Sequence, residues 1–498
     1  MNRSTSFTPG LCFLAGLTLG LPDNATARDN FAEAYAEQID RVLDRHFSER
    51  HGAVVIGLVD EHGSRIFSRG TLHEGSNRKV DGDTIFELGS VTKVFTSLLL
   101  LDAAQRGDVK MADPVAKHLP ERVTVPSYEG RDITLFHLGA QSSGLPWHSY
   151  DFKQDPDRKT MLISMREAAT AYTAEDLYAF LSSFELPGEP ATGFQYSNTG
   201  MALLGHALAR AAGTDYESRV IDRICKPLGM NNTGIALSPD QKARLARGHW
   251  ADGEPAENIN FKVMQPAGSF LSTANDLLKF LEANLGLIDS PLTAAMKTSQ
   301  IVRYTGHQRF GTTAMPWFDE RIYHPPGRKI LGHGGGGFGY LAFIGLETQQ
   351  RRGVVILTSQ LGFNPFGIGW SLLQGAPLTF ENITYWVKEQ VGLGFTLEPD
   401  EQTGLPRVGT VWPTSPAGRA GLRTGHTMTK INGTGLAGKT VHQCLSMFRG
   451  KAGTSFEIEV IDPTEQTTST VDVALAKFVR VTGDTDWTST SDSKKVRE

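Results

Sequence analysis

Cysteine is scarce in this chain: three occur in 498 residues, at Cys12, Cys225 and Cys444. Too few and too far apart for a disulfide framework, Cys225 and Cys444 read as two lone buried thiols. Positive charge is also thin. The formal net charge is −5 and no long basic cluster precedes the last few residues, which excludes nucleic acid as a partner. No His/Glu pair shows zinc spacing, so neither a metal nor an organic cofactor is expected. Beyond the first thirty residues, no apolar run approaches the length of a membrane-spanning helix.

What remains is an ordinary soluble composition, 40% apolar and 21% charged, long enough for two or three domains with full cores. The N-terminus carries Arg3, an apolar stretch from Leu11 to Leu21, and Ala25-Thr26-Ala27 before Arg28. That is the layout of a secretory signal peptide over residues 1–27, with a small-x-small cleavage site. Cys12 lies inside the apolar stretch and leaves with it. The mature chain is therefore expected in the periplasm or outside the cell, with no membrane span.

Apolar residues at helical spacing (Phe31, Ala34, Ile39, Val42, Leu43) predict an amphipathic helix over 30–47. Ala53–Val59 and Arg65–Phe67 around Glu61-His62-Gly63 predict a hairpin. Helices follow at Ser90 to Gly107, Thr173–Phe184, Gly200–Ala212, Tyr216–Leu228 and Ala274–Leu285. Lys329–His333, Tyr340–Ile344 and Gly353–Leu357 then read as successive strands. A helix, a hairpin, a helical middle and returning strands imply one α+β domain, residues 28–375. Its antiparallel sheet is built from both ends of that sequence and flanked by helices. After a transition, 388–480 is β-rich and glycine-punctuated, with one helix at Val441–Phe448. The tail, 481–498, is polar, a composition for which disorder is expected.

The segment Ser90-Val-Thr-Lys93 carries the chemistry. Ser-x-x-Lys is expected about twice by chance in a chain of this length and occurs three times, at Ser76, Ser90 and Ser491. Only Ser90 precedes an apolar helical run able to bury the lysine stem. At a helix start, Lys93 would stand one turn from Ser90 on the same face, a base beside a nucleophilic hydroxyl. The first-turn amides would favour an oxyanion growing beside Ser90. Two more short motifs follow in order: Tyr196-Ser-Asn198, the single Tyr-x-Asn of the chain, and His333-Gly-Gly335 on a strand. Taken singly, Tyr196 reads as a core tyrosine beside a helix cap and His333 as a structural histidine. Gly334-x-Gly336-x-x-Gly339 also matches a dinucleotide fingerprint. A strand rather than a helix follows it, and no acidic residue stands near Leu357-Thr-Ser359, so that reading is rejected. The glycines instead let a substrate approach a strand backbone.

With these motifs in this order, residues 35 to 360 resemble the penicillin-recognising serine hydrolases, in the branch of class C β-lactamases, DD-carboxypeptidases, D-aminopeptidases and related esterases. Supporting phrases are Ile133-Thr-Leu with Ser143-Gly-Leu-Pro146, Tyr196-Ser-Asn-Thr-Gly200, Pro227-Leu-Gly-Met230 with Thr233, and Pro266-Ala-Gly268 with Ser272-Thr273. The resemblance implies a β-lactamase/transpeptidase-like fold and an acyl-enzyme on Ser90. Lys93 would accept or relay the serine proton and Tyr196 would shuttle it to the leaving group; which of the two is the base stays open. Asn198 would hold the substrate amide or Lys93. The backbone N–H groups of Ser90 and Gly336 would form the oxyanion hole, with His333 and Gly335 lining the substrate strand.

This chain departs from the lactamase version, which has Lys-Thr-Gly where His333-Gly-Gly335 stands. A neutral histidine anchors a substrate carboxylate less well than lysine, and Gly334 lacks a hydroxyl. Gln141 also differs from the residue the family leads one to expect. Small-molecule or peptide substrates of D-amino-acid, peptidoglycan-fragment or ester type are therefore favoured, with a class C-like β-lactamase as the enzymatic alternative. A receptor that binds a cell-wall peptide or β-lactam without turnover, and signals through a C-terminal PDZ domain, is the alternative outside catalysis. Intact Ser90, Lys93 and Tyr196 argue against it. The C-terminal region resembles a PDZ module, with Gly392, Leu393, Gly394 and Phe395 as its carboxylate-binding loop. Ser415-Pro-Ala, Ala420-Gly-Leu422, Gly425 and Ile431-Asn-Gly433 match its central turn and strand. The resemblance implies capture of a protein C-terminus by strand addition, the other reading being a PDZ-shaped spacer with no ligand.

Overall fold

A computed structural model describes residues 30–47, 52–259, 261–307, 311–319, 328–378, 388–393, 395–400, 403–411, 415–448, 450, 453–464 and 467–480. The expected signal peptide and polar tail lie outside them.

Helix α1 (Phe31–Phe47) leads into the hairpin β1 (Ala53–Asp60) and β2 (Gly63–Gly70). A helical middle follows, holding α2 (Thr92–Gln105), α3 (Arg158–Ala171) and α4 (Asn198–Ala212). The chain then returns through β3 (Tyr304–His307), β4 (Gly311–Thr313), β5 (Phe318–Asp319), β6 (Ile330–Gly336), β7 (Leu341–Glu347) and β8 (Arg352–Thr358). These eight strands form one sheet in the order β2-β1-β8-β7-β6-β5-β4-β3. The described pairings are antiparallel, and β1 meets β8 with Ile56 opposite Ile356. The first and last strands of the region thus lie side by side.

Both faces of this sheet are covered, which is why β1 is buried along its whole length. Side chains alternate across a strand. Val54, Ile56 and Leu58 face one core with α1 and a later helix, α5 (Pro365–Gln374). Val55 and Val59 face the larger core built on the helical middle. Phe343 from β7 joins the first core, and Ala342, Ile344 and Leu346 the second. Helix α2 crosses that second core with every residue from Thr92 to Ala103 buried. The sequence places Ser90 at the start of a regular helix; the structure gives it a 3-10 turn, Gly89–Val91, with the α-helix beginning at Thr92.

In the C-terminal region, β9 (Lys388–Gly392) pairs with β15 (Ala476–Arg480). A separate sheet runs β10 (Phe395–Pro399), β11 (Pro406–Val411), β12 (Thr427–Ile431), β13 (Ser455–Ile461), β14 (Thr468–Ala474), with a short strand Thr434–Gly435 beside β12. Helix α6 (Val441–Ser446) contributes Cys444 to a hydrophobic core of this region's own.

Candidate active site

Three chain segments meet at Ser90. The first is its own turn. Gly89 adopts φ +50°, a left-handed conformation that glycine takes without strain. A Cβ at Gly89 would lie 2.8 Å from Gly336 O, and one at Gly335 would lie 1.9 Å from Leu88 O. Only glycine lets β6 run flush against the serine turn. Gly335 and Gly336 are thus brought beside Ser90, with the site of a Gly335 Cβ 3.2 Å from Ser90 N.

The second segment is α2. Lys93 is fully buried, and its Nζ donates to Ser90 Oγ at 2.9 Å and to Ala267 O at 2.6 Å. No carboxylate joins this pair of contacts. Burial therefore pushes the lysine pKa well below its ordinary value, since an ammonium loses its hydration there. The carbonyl it uses comes from the Pro266-Ala-Gly268 phrase. Thr96 Oγ1 holds that phrase by donating to Pro266 O at 2.7 Å, and Thr92 Oγ1 accepts from Phe270 N.

The third segment carries Tyr196, whose hydroxyl donates to Ser90 Oγ at 2.8 Å. Lys93 Nζ sits 4.9 Å from the centroid of the same ring. The Tyr196 loop is clipped to the Gln141–Trp147 stretch on several sides. Ser197 N donates to Gln141 Oε1 (2.6 Å), Ser197 Oγ to Pro146 O (2.7 Å), and Asn198 N to Trp147 O (3.0 Å). Gln141, the residue that departs from expectation, itself adopts φ +57°. Its place is structural: it seats the tyrosine loop. Trp147 packs its ring 5.2 Å from that of Tyr196.

Asn198 opens α4, and its backbone faces the site loop, while Lys93 spends its contacts on Ser90 and Ala267 rather than on Asn198. Of the two roles expected for Asn198, holding Lys93 is not realised here. His333 lies on β6, 1% exposed, its ring 4.7 Å from that of Phe318. Its Nδ1 lies 2.8 Å from Gly334 O, and a carbonyl can only accept, so Nδ1 carries the proton. Nε2 is then a bare acceptor, buried and without a hydrogen-bond partner. Burial first, and positive charge on Lys93 when it is protonated second, push the imidazole pKa down to about 3. The histidine that replaces a lysine is neutral.

A family model described as Beta-lactamase matches residues 39–374, about two thirds of the sequence. The chain belongs to the beta-lactamase family. It is 28% identical to the D-alanyl-D-alanine-carboxypeptidase/endopeptidase AmpH of Escherichia coli over 376 residues, covering 72% of this chain and 92% of that protein. It is 29% identical to an E. coli beta-lactamase, covering 68% and 94%. Among solved structures, a class C beta lactamase from Rhodobacter sphaeroides superposes with a TM-score of 0.54 at 25% identity, covering 66% and 94%.

Sequence reasoning missed the Ala267 carbonyl, the neighbouring rings of Trp147 and Phe318, and a buried carboxylate at Glu87. The Pro266-Ala-Gly268 phrase was a usable signal for the first. Among the described residues, no group of three or more His, Cys, Asp or Glu side chains is placed to hold a metal ion, and no helix is long and apolar enough to cross a membrane.

Proposed function

We propose that this protein is a serine acyl hydrolase that forms an acyl-enzyme on Ser90. The observation that carries the reading is the pair of hydrogen bonds converging on Ser90 Oγ from a fully buried Lys93 and from Tyr196. A neutral Lys93 amine offers its lone pair to the Ser90 hydroxyl, so the contact reverses and the serine proton passes to Nζ as Oγ attacks a carbonyl. That makes Lys93 the base. Tyr196 then hands a proton to the departing amine or alkoxide and recovers one from Lys93. The oxyanion falls to the Ser90 and Gly336 amides, which β6 brings together. Water completes the cycle by attacking the ester and releasing Ser90.

The substrates proposed are D-amino-acid peptides, peptidoglycan fragments or small esters. The neutral His333 supports the ester end of this range over a β-lactam, because it supplies no positive charge for a carboxylate beside the scissile bond. Similarity to a D-alanyl-D-alanine-carboxypeptidase/endopeptidase supports the peptide end of the range. The N-terminal pattern of residues 1–27 supports export to the periplasm or beyond. For the C-terminal region we propose a PDZ-like module. Among the described residues its β10 ends the strand order of its sheet, the position at which a ligand strand would add, with Leu393 O taken by Ala417 N at 2.9 Å. Gly392 ends β9 and Phe395 starts β10, while Gly394 lies outside the described residues.

The test is parallel hydrolysis of a D-Ala-D-Ala peptide, a nitrophenyl ester and a cephalosporin by wild type and Ser90→Ala. Peptide or ester turnover that disappears in the variant supports the reading. Fast cephalosporin turnover with neither of the others would replace it with the lactamase.

A further inference from the structure

Glu87 is a buried carboxylate that the proposed reaction leaves unused. It ends the short strand Ile85–Glu87, three residues before Ser90, and is 2% exposed. Its Oε1 accepts from Asn258 Nδ2 at 2.8 Å and from the Ile259 backbone N at 2.9 Å. Asn258 Nδ2 also reaches the Tyr340 hydroxyl at 2.9 Å, and that hydroxyl donates to Ala246 O at 2.7 Å. Oε2 is buried with no hydrogen-bond partner and faces Gly337, whose Cβ would lie 3.9 Å away. One carboxyl therefore joins the strand entering the serine turn, the 256–259 segment, and the Gly337–Tyr340 turn that follows β6.

Helix α3 rests on this arrangement from outside. Leu162, Ile163 and Met165 pack with Trp250, Ala256 and Phe338 in a small cluster separate from the main cores. Lys159 pairs with Asp252 (2.9 Å) and Glu254 (2.6 Å), and Arg166 with Glu257 (2.8 Å). The chain enters α3 from Trp147, against the Tyr196 ring, while α3 itself packs on Phe338, beyond the end of β6. The chain from Trp147 to the end of α3 thus runs from the Tyr196 side of Ser90 to the turn that follows β6.

We propose that Glu87 is a positioning residue: it fastens the 256–259 segment, and with it helix α3, as a cover beside Ser90 that selects among acyl substrates by size. The charged and titratable groups that face it are Arg166 from α3 and Tyr340 from the turn. Burial lifts the Glu87 carboxyl to about 7, against the opposing pull of Asn258, Ile259 and Arg166. A carboxyl held at this cost, with two N–H donors on one oxygen, is placed to hold a segment rather than to transfer a proton to Ser90.

Only the kinetic arm of the test rests on Ser90 as nucleophile. Wild type, Glu87→Gln and Glu87→Leu are compared by hydrogen–deuterium exchange and by kinetics, with thermal unfolding to verify that each folds. Leucine removes the acceptor, so exchange over 256–259 and α3 should rise about tenfold or more while β6 and β7 stay protected. Glutamine keeps Oε1 and should stay within about threefold of wild type. Acylation by a D-Ala-D-Ala peptide should slow about tenfold or more in Glu87→Leu, chiefly through KM, with nitrophenyl acetate hydrolysis nearly unchanged. Unchanged exchange over 256–259, or a rise spread evenly over the whole domain, would overturn the proposal. So would equal losses on the large and small substrates. A wild type that never acylates at Ser90 would overturn the proposed function, and the exchange data would then decide on Glu87 alone.

Discussion

Replacing Lys93 by methionine should slow acylation yet stabilise the fold at neutral pH. The Lys93 amine is fully buried, and burial holds its pKa well below the ordinary lysine value. Between the folded and unfolded values, the unfolded chain carries the extra proton. Stability therefore rises with pH across that window, by about 1.4 kcal/mol per unit, and the lysine costs most at the acid end. Methionine keeps the apolar stem and discards the amine. The hydrogen bonds lost, to Ser90 Oγ and Ala267 O, are worth about 1 kcal/mol each. The titration slope, acting from a pKa held well below the ordinary lysine value, opposes them and is largest at the acid end. Urea unfolding of wild type and Lys93→Met from pH 7 to pH 10 should show the variant more stable at pH 7 and the gap closing as the pH rises. Taking the difference cancels groups common to both proteins. Acylation should fall by about 10²- to 10⁴-fold, the usual worth of a positioned base. A wild type more stable than the variant by an amount constant across this range would show that Lys93 keeps its proton, and would refute the neutral-base argument.

His333 acts in the same sense at lower pH. Its pKa is pushed from 6.5 down to about 3, so its contribution is complete above 6.5 and is lost as pH falls; at pH 5 the loss is about 2 kcal/mol. His333→Asn should remove that sensitivity, read as a flatter melting temperature between pH 7 and pH 5. Gly335→Ala would put a methyl 1.9 Å from Leu88 O. It should cost about 1–3 kcal/mol of stability and, by displacing the serine turn, about a hundredfold in acylation rate.

The central sheet and its flanking helices were legible because their signals are local. β1 is a continuous apolar run because both its faces are covered, and α1 keeps a clear helical stripe. Ser90 stood out from two other Ser-x-x-Lys matches because the residues after Lys93 are apolar on all sides, as befits a helix buried all round. Other elements were silent. Helix α3 buries only Ala169 fully, and its apolar residues crowd at 161–165 instead of repeating along a stripe. Helix α5 contains Pro365, Gly367 and Gly369, and reads as a transition. Gly369 is there because Phe343 packs against it, with ring atoms 2.2 Å from where a Cβ would stand. Strands β3, β4 and β5 are short and paired with register shifts, so no alternation marks them. The site's long-range partners left no local trace: Lys93 meets a carbonyl 174 positions away, and Glu87 a side chain 171 positions away.

The most direct test of the account is the mass of the protein after brief mixing with a penicillin and, in parallel, with an activated ester, quenched in acid and mapped by peptide. One acyl group is expected, on the peptide holding Ser90, and none on Ser90→Ala. An acyl group on another residue, or undiminished hydrolysis by Ser90→Ala, would contradict it.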